Sequence, residues 1–225
     1  MELLQLREKE IFKTLKKIRK FRFAVIGGYA ANAYTLPRFS VDCDIVVGNT
    51  SEAKQIEKGL EKVGYVKRHI DETFYNGKFI SYEKDIGNNF KASLDIMVGE
   101  VLDRQTNTLF SAKWVFKNSA LRILKGKTIT EELKLRIINL DALVVMKFIC
   151  CRSPDIRDLF MLMPQAKDIG WIKEEIGKRY NFNDRFEKIK EKISSKKFKD
   201  DLQGIYGYIE ERIFEKHKKA VLEMA

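Results

Sequence analysis

The chain has 225 residues, 44% hydrophobic and 33% charged, with a formal net charge of +11. That balance excludes an intrinsically disordered chain and is enough for one large domain or two small ones. No apolar run reaches the roughly 18 residues of a membrane span, and three cysteines and two histidines argue against a disulfide framework, histidine-held zinc and Ser-His-Asp catalysis.

The first segment, MELLQLREKEIFKTLKKIRK, is charged throughout and lacks the apolar centre of a signal peptide; with Cys43, Cys150 and Cys151 unmatched to any framework, a reducing cytoplasm is expected. Leu4, Ile11, Leu15 and Ile18 share one helical face, which predicts a first helix over residues 3–19. RFAVIGG reads as a short buried strand ending at Gly27 and Gly28, and YAANAYT as a short helix stopped before Pro37. VDCDIVVG is the second strand. Ile56, Leu60 and Val63 then mark a helix capped by Thr50 or Ser51. GYVKRHI and KFISYEK read as a strand pair around Asn76-Gly77, ASLDIMVG as a strand centred on Asp95, and SALRILKG as a further strand. From about residue 128 onward, beginning with TITEELKLRIINLDALVVMKFICCR, the pattern reads as helical.

The expected fold class is therefore α+β: a small mixed sheet with flanking helices over residues 1–127, followed by an α-helical part over 128–225.

Side chains alternate across a strand, so Asp42 and Asp44 project together while Val41, Cys43 and Ile45 face the other way. Two carboxylates about 6–7 Å apart on one face repel unless a cation lies between them. Magnesium, a hard ion that prefers carboxylate and phosphate oxygens, suits such a pair. Asp95 is a lone acid in apolar surroundings; if its strand neighbours the second, three acids converge, enough for two metal ions. Gly27 and Gly28 fall where a strand becomes a helix, where backbone N–H groups can approach a phosphate closely. Arg38 and Ser40, between the glycines and the acids, can neutralise and hydrogen-bond phosphate oxygens. Lys147 is the only charged residue from Ala142 to Cys151, on a stripe with Leu140, Leu143, Val144 and Cys151; it needs an anion or an exit to water.

In this order, VIGGYAANAYTLPRFSVDCDIVV and SLDIMV resemble the nucleotidyltransferase superfamily of the DNA polymerase β type: strand, diglycine, short helix, acid-x-acid strand, third-acid strand. Among its branches the chain is most similar to minimal nucleotidyltransferases and to AbiEii-like toxins, whose helical motif is matched by Lys147, Arg152, Arg157 and Asp158 in LDALVVMKFICCRSPDIRDLFML. Two positions depart from that pattern. Tyr29 stands where many members of that superfamily carry serine or threonine, and Met161 where the toxin motif usually has an acid, for which Asp155, just upstream, is the candidate substitute.

The resemblance implies transfer of a nucleoside monophosphate from an NTP to an acceptor hydroxyl. It makes Asp42, Asp44 and Asp95 the ligands of two Mg2+ ions and the catalytic acids, with Lys147 offsetting leaving-group charge. Gly27, Gly28, Arg38, Ser40, Lys147 and Asp158 are the expected nucleotide contacts. The basic runs KTLKKIRKFR and KIKEKISSKKFKD suit RNA or a tRNA end as acceptor, or are ordinary solvated helix faces. A protein hydroxyl or a small antibiotic are the other acceptors, a cognate antitoxin is an expected partner and a membrane is not. A non-catalytic nucleic-acid-binding module is the remaining reading.

Overall fold

The structure, a computed structural model, describes residues 2–69 and 78–225. The chain divides into two compact units. The first comprises Met1–Ala33, Phe39–Leu102 and Phe110–Ile138, and the second Tyr34–Arg38, Asp103–Leu109 and Asn139–Ala225.

In the first unit, helix α1 (Glu2–Ile18) buries Ile11, Phe12, Leu15 and Ile18. Each such side chain contributes roughly 2 kcal/mol of hydrophobic burial. Strand β1 (Ala24–Val25) leads directly into α2 (Gly27–Ala31), so this helix begins on the two glycines and stops at Ala31, earlier at both ends than YAANAYT predicted. Strand β2 (Asp42–Val47) precedes α3 (Thr50–Glu61), which buries Ile56 and Leu60. Its cap is Asn49, whose side chain accepts from Glu52 N, rather than Thr50 or Ser51.

Strands β3 (Val66–Lys67), β4 (Phe79–Asp85) and β5 (Lys91–Val98) follow. The pairing of β3 with β4 is observed, while the expected turn at Asn76-Gly77 lies outside the described residues. A two-stranded ribbon that the sequence reading did not identify comprises β6 (Glu100–Asp103) and β7 (Thr108–Ser111). Helix α4 (Ala112–Lys117), β8 (Ser119–Leu124) and β9 (Leu133–Ile138) come next.

Strand β9 corrects the expectation of helix throughout residues 128 onward. Leu133, Leu135 and Ile137 are buried and Lys134 is exposed, a period of two that suits a sheet. The Glu, Leu, Lys and Arg of this stretch favour helix locally, but pairing with β1 and β8 decides the outcome.

Among the described residues, seven strands form one mixed sheet in the order β3-β4-β5-β2-β1-β9-β8. Strand β2 runs parallel to β5 and antiparallel to β1. Helices α1 and α3 pack on the strands at the sheet centre, where Cys43, Ile45, Leu94 and Ile96 are fully buried. Buried Glu8 ties α1 to the turn before β9: its carboxylate accepts from Lys127 N at 2.6 Å, Thr128 N at 2.9 Å and Thr128 Oγ1 at 2.7 Å.

The second unit is largely helical: α5 (Leu140–Cys150), α6 (Ser153–Leu162), α7 (Ile169–Gly177), α8 (Phe182–Ser194), α9 (Lys196–Tyr206) and α10 (Glu211–Leu222). Helix α5 is apolar nearly all round, as a central helix must be, and packs on α6, α7 and α8. Phe160 anchors the outer layer, 5.1 Å from both Phe198 and Phe214 between ring centres. Among the described residues no helix is long and apolar enough to cross a membrane.

Candidate active site

The expected site residues fall into two groups, one in each unit. In the first, β2 and β5 pair in parallel with Asp44 opposite Asp95 and Asp42 opposite Ser93. Neighbouring strands lie about 4.8 Å apart, and residues in register share a face. Asp42, Asp44 and Asp95 therefore occupy one face of the sheet, all half-buried, while Cys43, Ile45, Leu94 and Ile96 occupy the other. Burial and the three nearby negative charges (Asp44, Asp95 and Asp42) push the Cys43 thiol well above its ordinary range.

Asp95 is held most unusually of the three. Burial raises its carboxyl to about 6, Ser81 lowers it by a hydrogen bond, Asp42 raises it and Arg68 lowers it. Ser81 stands opposite Asp95 on β4, a contact that the sequence reading missed because only the strand register reveals it. The Oδ1 atom of Asp95 is buried and has no hydrogen-bond partner. Such an orphan acceptor costs free energy unless a cation or donor meets it.

Gly27 lies against the same acids. It has φ +67°, and a Cβ built on it would sit 1.9 Å from Asp44 Oδ2. Ile26 N donates to Asp44 O at 3.0 Å, which ties the start of α2 to the acid-bearing strand. Gly28 is buried within α2, and Ser40 lies half-buried two residues before Asp42. Tyr29 is 1% exposed and belongs to the core.

The donor set is all oxygen and fits a hard divalent ion such as magnesium. Among the described residues, however, no three His, Cys, Asp or Glu side chains are gathered closely enough to form a ready-made metal cluster. The shared face, the raised Asp95 carboxyl and its unpartnered Oδ1 are the features a cation would relieve.

In the second unit, Arg38, Lys147 and Asp158 meet one another. Arg38 donates from Nε to Asp158 Oδ1 and from Nη2 to Asp158 Oδ2, both at 2.7 Å. Lys147 Nζ lies 2.9 Å from Asp158 Oδ2 and donates to Asp155 Oδ1 at 2.8 Å. Arg152 Nε donates to Asp155 Oδ2 at 2.6 Å. Lys147 is 6% exposed, so of its two expected fates, an anion or an exit to water, the chain supplies the anion itself. Despite the burial that opposes its charge, Asp158 and Asp155 hold its ammonium above the ordinary range. Both carboxyls are correspondingly lowered, against burial, by Lys147 first and by Arg38 and Arg152 respectively.

No protein-family model matches the chain, and no curated protein matches it in sequence. Its structure is similar over 100% of its length to the crystal structure of a candidate nucleotidyltransferase from H. pylori, covering 92% of that chain at 14% identity and a TM-score of 0.50. JHP933 from Helicobacter pylori aligns over 100% of this chain and 89% of its own, at 15% identity and a TM-score of 0.48. The first likeness shows the fold, a nucleotidyltransferase-like mixed sheet with a helical C-terminal region.

Proposed function

We propose that this chain is a magnesium-dependent nucleotidyltransferase that moves a nucleoside monophosphate from an NTP to an acceptor hydroxyl. The observation that carries the reading is the β2–β5 register, which sets Asp44 beside Asp95 with Asp42 on the same face and Gly27 against Asp44. The name borne by the H. pylori structure points the same way.

Asp42, Asp44 and Asp95 would hold the metal, which when bound lowers the acceptor hydroxyl's pKa and offsets phosphate charge. Asp95, whose Oδ1 is buried and unpartnered, would be placed to take the hydroxyl proton. The acceptor oxygen then bonds to the α-phosphorus as the bond to the pyrophosphate oxygen breaks. Gly27 and Gly28 offer close backbone approach and Ser40 a hydroxyl to the phosphates.

RNA, a tRNA end included, is the acceptor that the net charge of +11 favours. An AbiEii-like toxin role, with a cognate antitoxin as partner, rests on the motif of Lys147, Arg157 and Asp158. The test is incubation with magnesium, each α-labelled NTP, total cellular RNA and total protein. Label should enter RNA with the wild type and vanish with Asp42→Ala or Asp44→Ala, each retaining its circular dichroism spectrum. Undiminished transfer by either variant overturns the mechanism, and label in protein or in an added aminoglycoside moves the acceptor.

A further inference from the structure

Strands β2, β5, β4 and β3 carry one line of polar side chains across the acid-bearing face of the sheet. Asp44 stands opposite Asp95, and Asp95 opposite Ser81. The β3–β4 register, Val66 with Glu83 and Lys67 with Tyr82, continues to Arg68, whose backbone N–H donates to Ser81 O at 2.8 Å. Residues in register share a face, so Asp44, Asp95, Ser81 and Arg68 follow one another across it. Ser81 is buried and Arg68 is exposed. The transfer chemistry uses the acids and leaves the cationic end of the line without a role.

The line has a direction. Strand β1 lies on the far side of β2 from β5, and the turn that follows it sets Gly27 against Asp44. A triphosphate held at the diglycine turn therefore sits at the Asp44 end. In-line displacement at phosphorus requires the attacking and leaving oxygens to lie on opposite sides. With pyrophosphate leaving on the β1 side, the acceptor hydroxyl comes from the β4–β3 side, over Ser81. Asp95 and Arg68 are two strand spacings apart, about 10 Å, a gap that an arginine side chain and one ribose fill together. Among the described residues Arg68 joins no ion pair, and Glu83, the next acid on this face of β4, is held by Lys91 instead.

We propose that Arg68 binds the acceptor, and that the acceptor is a polynucleotide end whose terminal hydroxyl meets Asp95 while the phosphodiester of its last nucleotide lies on Arg68. This inference rests on the transfer reading above and narrows its acceptor. A guanidinium at that place attracts a phosphodiester and repels a polycationic aminoglycoside, and a protein hydroxyl brings it no fixed charge. Arg68 makes and breaks no bond of the reaction: the acceptor oxygen bonds to the α-phosphorus, its proton passes to Asp95, and pyrophosphate leaves.

Calorimetric titration of the full chain with a tetranucleotide RNA ending in a 3′-deoxynucleotide, in EDTA and without NTP, reads the contact without turnover. Arg68→Gln should weaken binding about tenfold, since a charge-assisted bond is lost. Arg68→Lys should recover part of the loss, and Asp44→Ala should not weaken binding. Both Arg68 variants should melt with the wild type, because the side chain is exposed. In steady-state transfer with magnesium, wild type should prefer an RNA dinucleotide to the corresponding nucleoside. Arg68→Gln should raise KM for the dinucleotide and leave KM for the NTP and use of the nucleoside unchanged. Equal tetranucleotide binding by wild type and Arg68→Gln, with transfer intact, overturns this inference alone. Equal losses with dinucleotide and nucleoside also overturn it, because Arg68 would then act through Asp95 and not on the acceptor. No transfer by the wild type to any acceptor, with Arg68-dependent binding intact, overturns the transfer reading and the acceptor role with it.

Discussion

The α-carbon of Gly27 stands so close to Asp44 that a β-carbon there would fall 1.9 Å from the carboxylate oxygen Oδ2 and 2.8 Å from its Cγ. Gly27 also has φ +67°, a conformation that costs any other residue about 1 kcal/mol or more. Gly27→Ala should therefore lose about 1–3 kcal/mol of stability and abolish transfer, because the clash moves Asp44 off the shared face. In an Asp44→Ala background the same substitution should cost only the backbone strain and a milder 3.2 Å contact with the Cβ that remains at position 44. Urea denaturation of the four proteins of this double-mutant cycle reads the difference, and purely additive effects would show that the two residues do not meet.

Asp95 predicts a pH dependence. Its folded carboxyl is raised from 3.8 to about 6, so burial penalises the charged form. Below about pH 4 both folded and unfolded states are protonated and no penalty exists. Between about 4 and 6 the unfolded state releases its proton while the folded state keeps it, so stability falls as pH rises. Above about 6 the penalty is constant, up to about 3 kcal/mol. Asp95→Asn should then be the more stable protein at pH 7.5, the two should converge near pH 4, and the variant should transfer no nucleotide. Magnesium should stabilise wild type more than the variant at pH 7.5. A stability difference that ignores pH would refute the raised carboxyl.

The acids were legible in the sequence because strand alternation is local: D-x-D fixes a common face whatever the neighbouring strand is. That Asp95 stands opposite Asp44, and Ser81 opposite Asp95, follows from strand order, which no local pattern carries. The partners of Lys147 were hidden for a related reason. Cys151 closes α5 in the left-handed conformation at φ 52°, without a glycine to announce it, and the turn returns Asp155 and Asp158 to the lysine eight and eleven residues earlier. Arg38 reaches Asp158 across 120 residues, a distance at which only the folded chain can pair them. Strand β9 is not legible in the sequence because its helix-favouring composition masks the alternation of Leu133, Leu135 and Ile137.

Glu8 should prove a structural acid. Its carboxylate accepts from two backbone N–H groups and one hydroxyl in the turn before β9. Glu8→Ala strands those donors and should cost about 2–3 kcal/mol, whereas Glu8→Gln keeps one acceptor oxygen and should cost about half as much. Hydrogen exchange at Lys127 and Thr128 should quicken in both. Unchanged exchange there would mean that the turn is held by something else.

Lys147 tests how the buried cluster is balanced. Lys147→Met leaves Asp155 with only the half-exposed Arg152 and Asp158 with Arg38, in a site from which water is largely excluded. Breaking a buried pair from one side costs about 3–5 kcal/mol, and a loss of that size is expected at pH 7. The lowered Asp155 and Asp158 carboxyls contribute wild-type stability that is present above about pH 4 and lost as pH falls through their folded values. The variant should therefore lie far below wild type at neutral pH and approach it in acid, where protonation removes the uncompensated charge. Adding Asp155→Asn to Lys147→Met should restore part of the loss at pH 7 for the same reason. Parallel stability curves for wild type and Lys147→Met from pH 7 to pH 3 would show that the lysine contributes by packing alone.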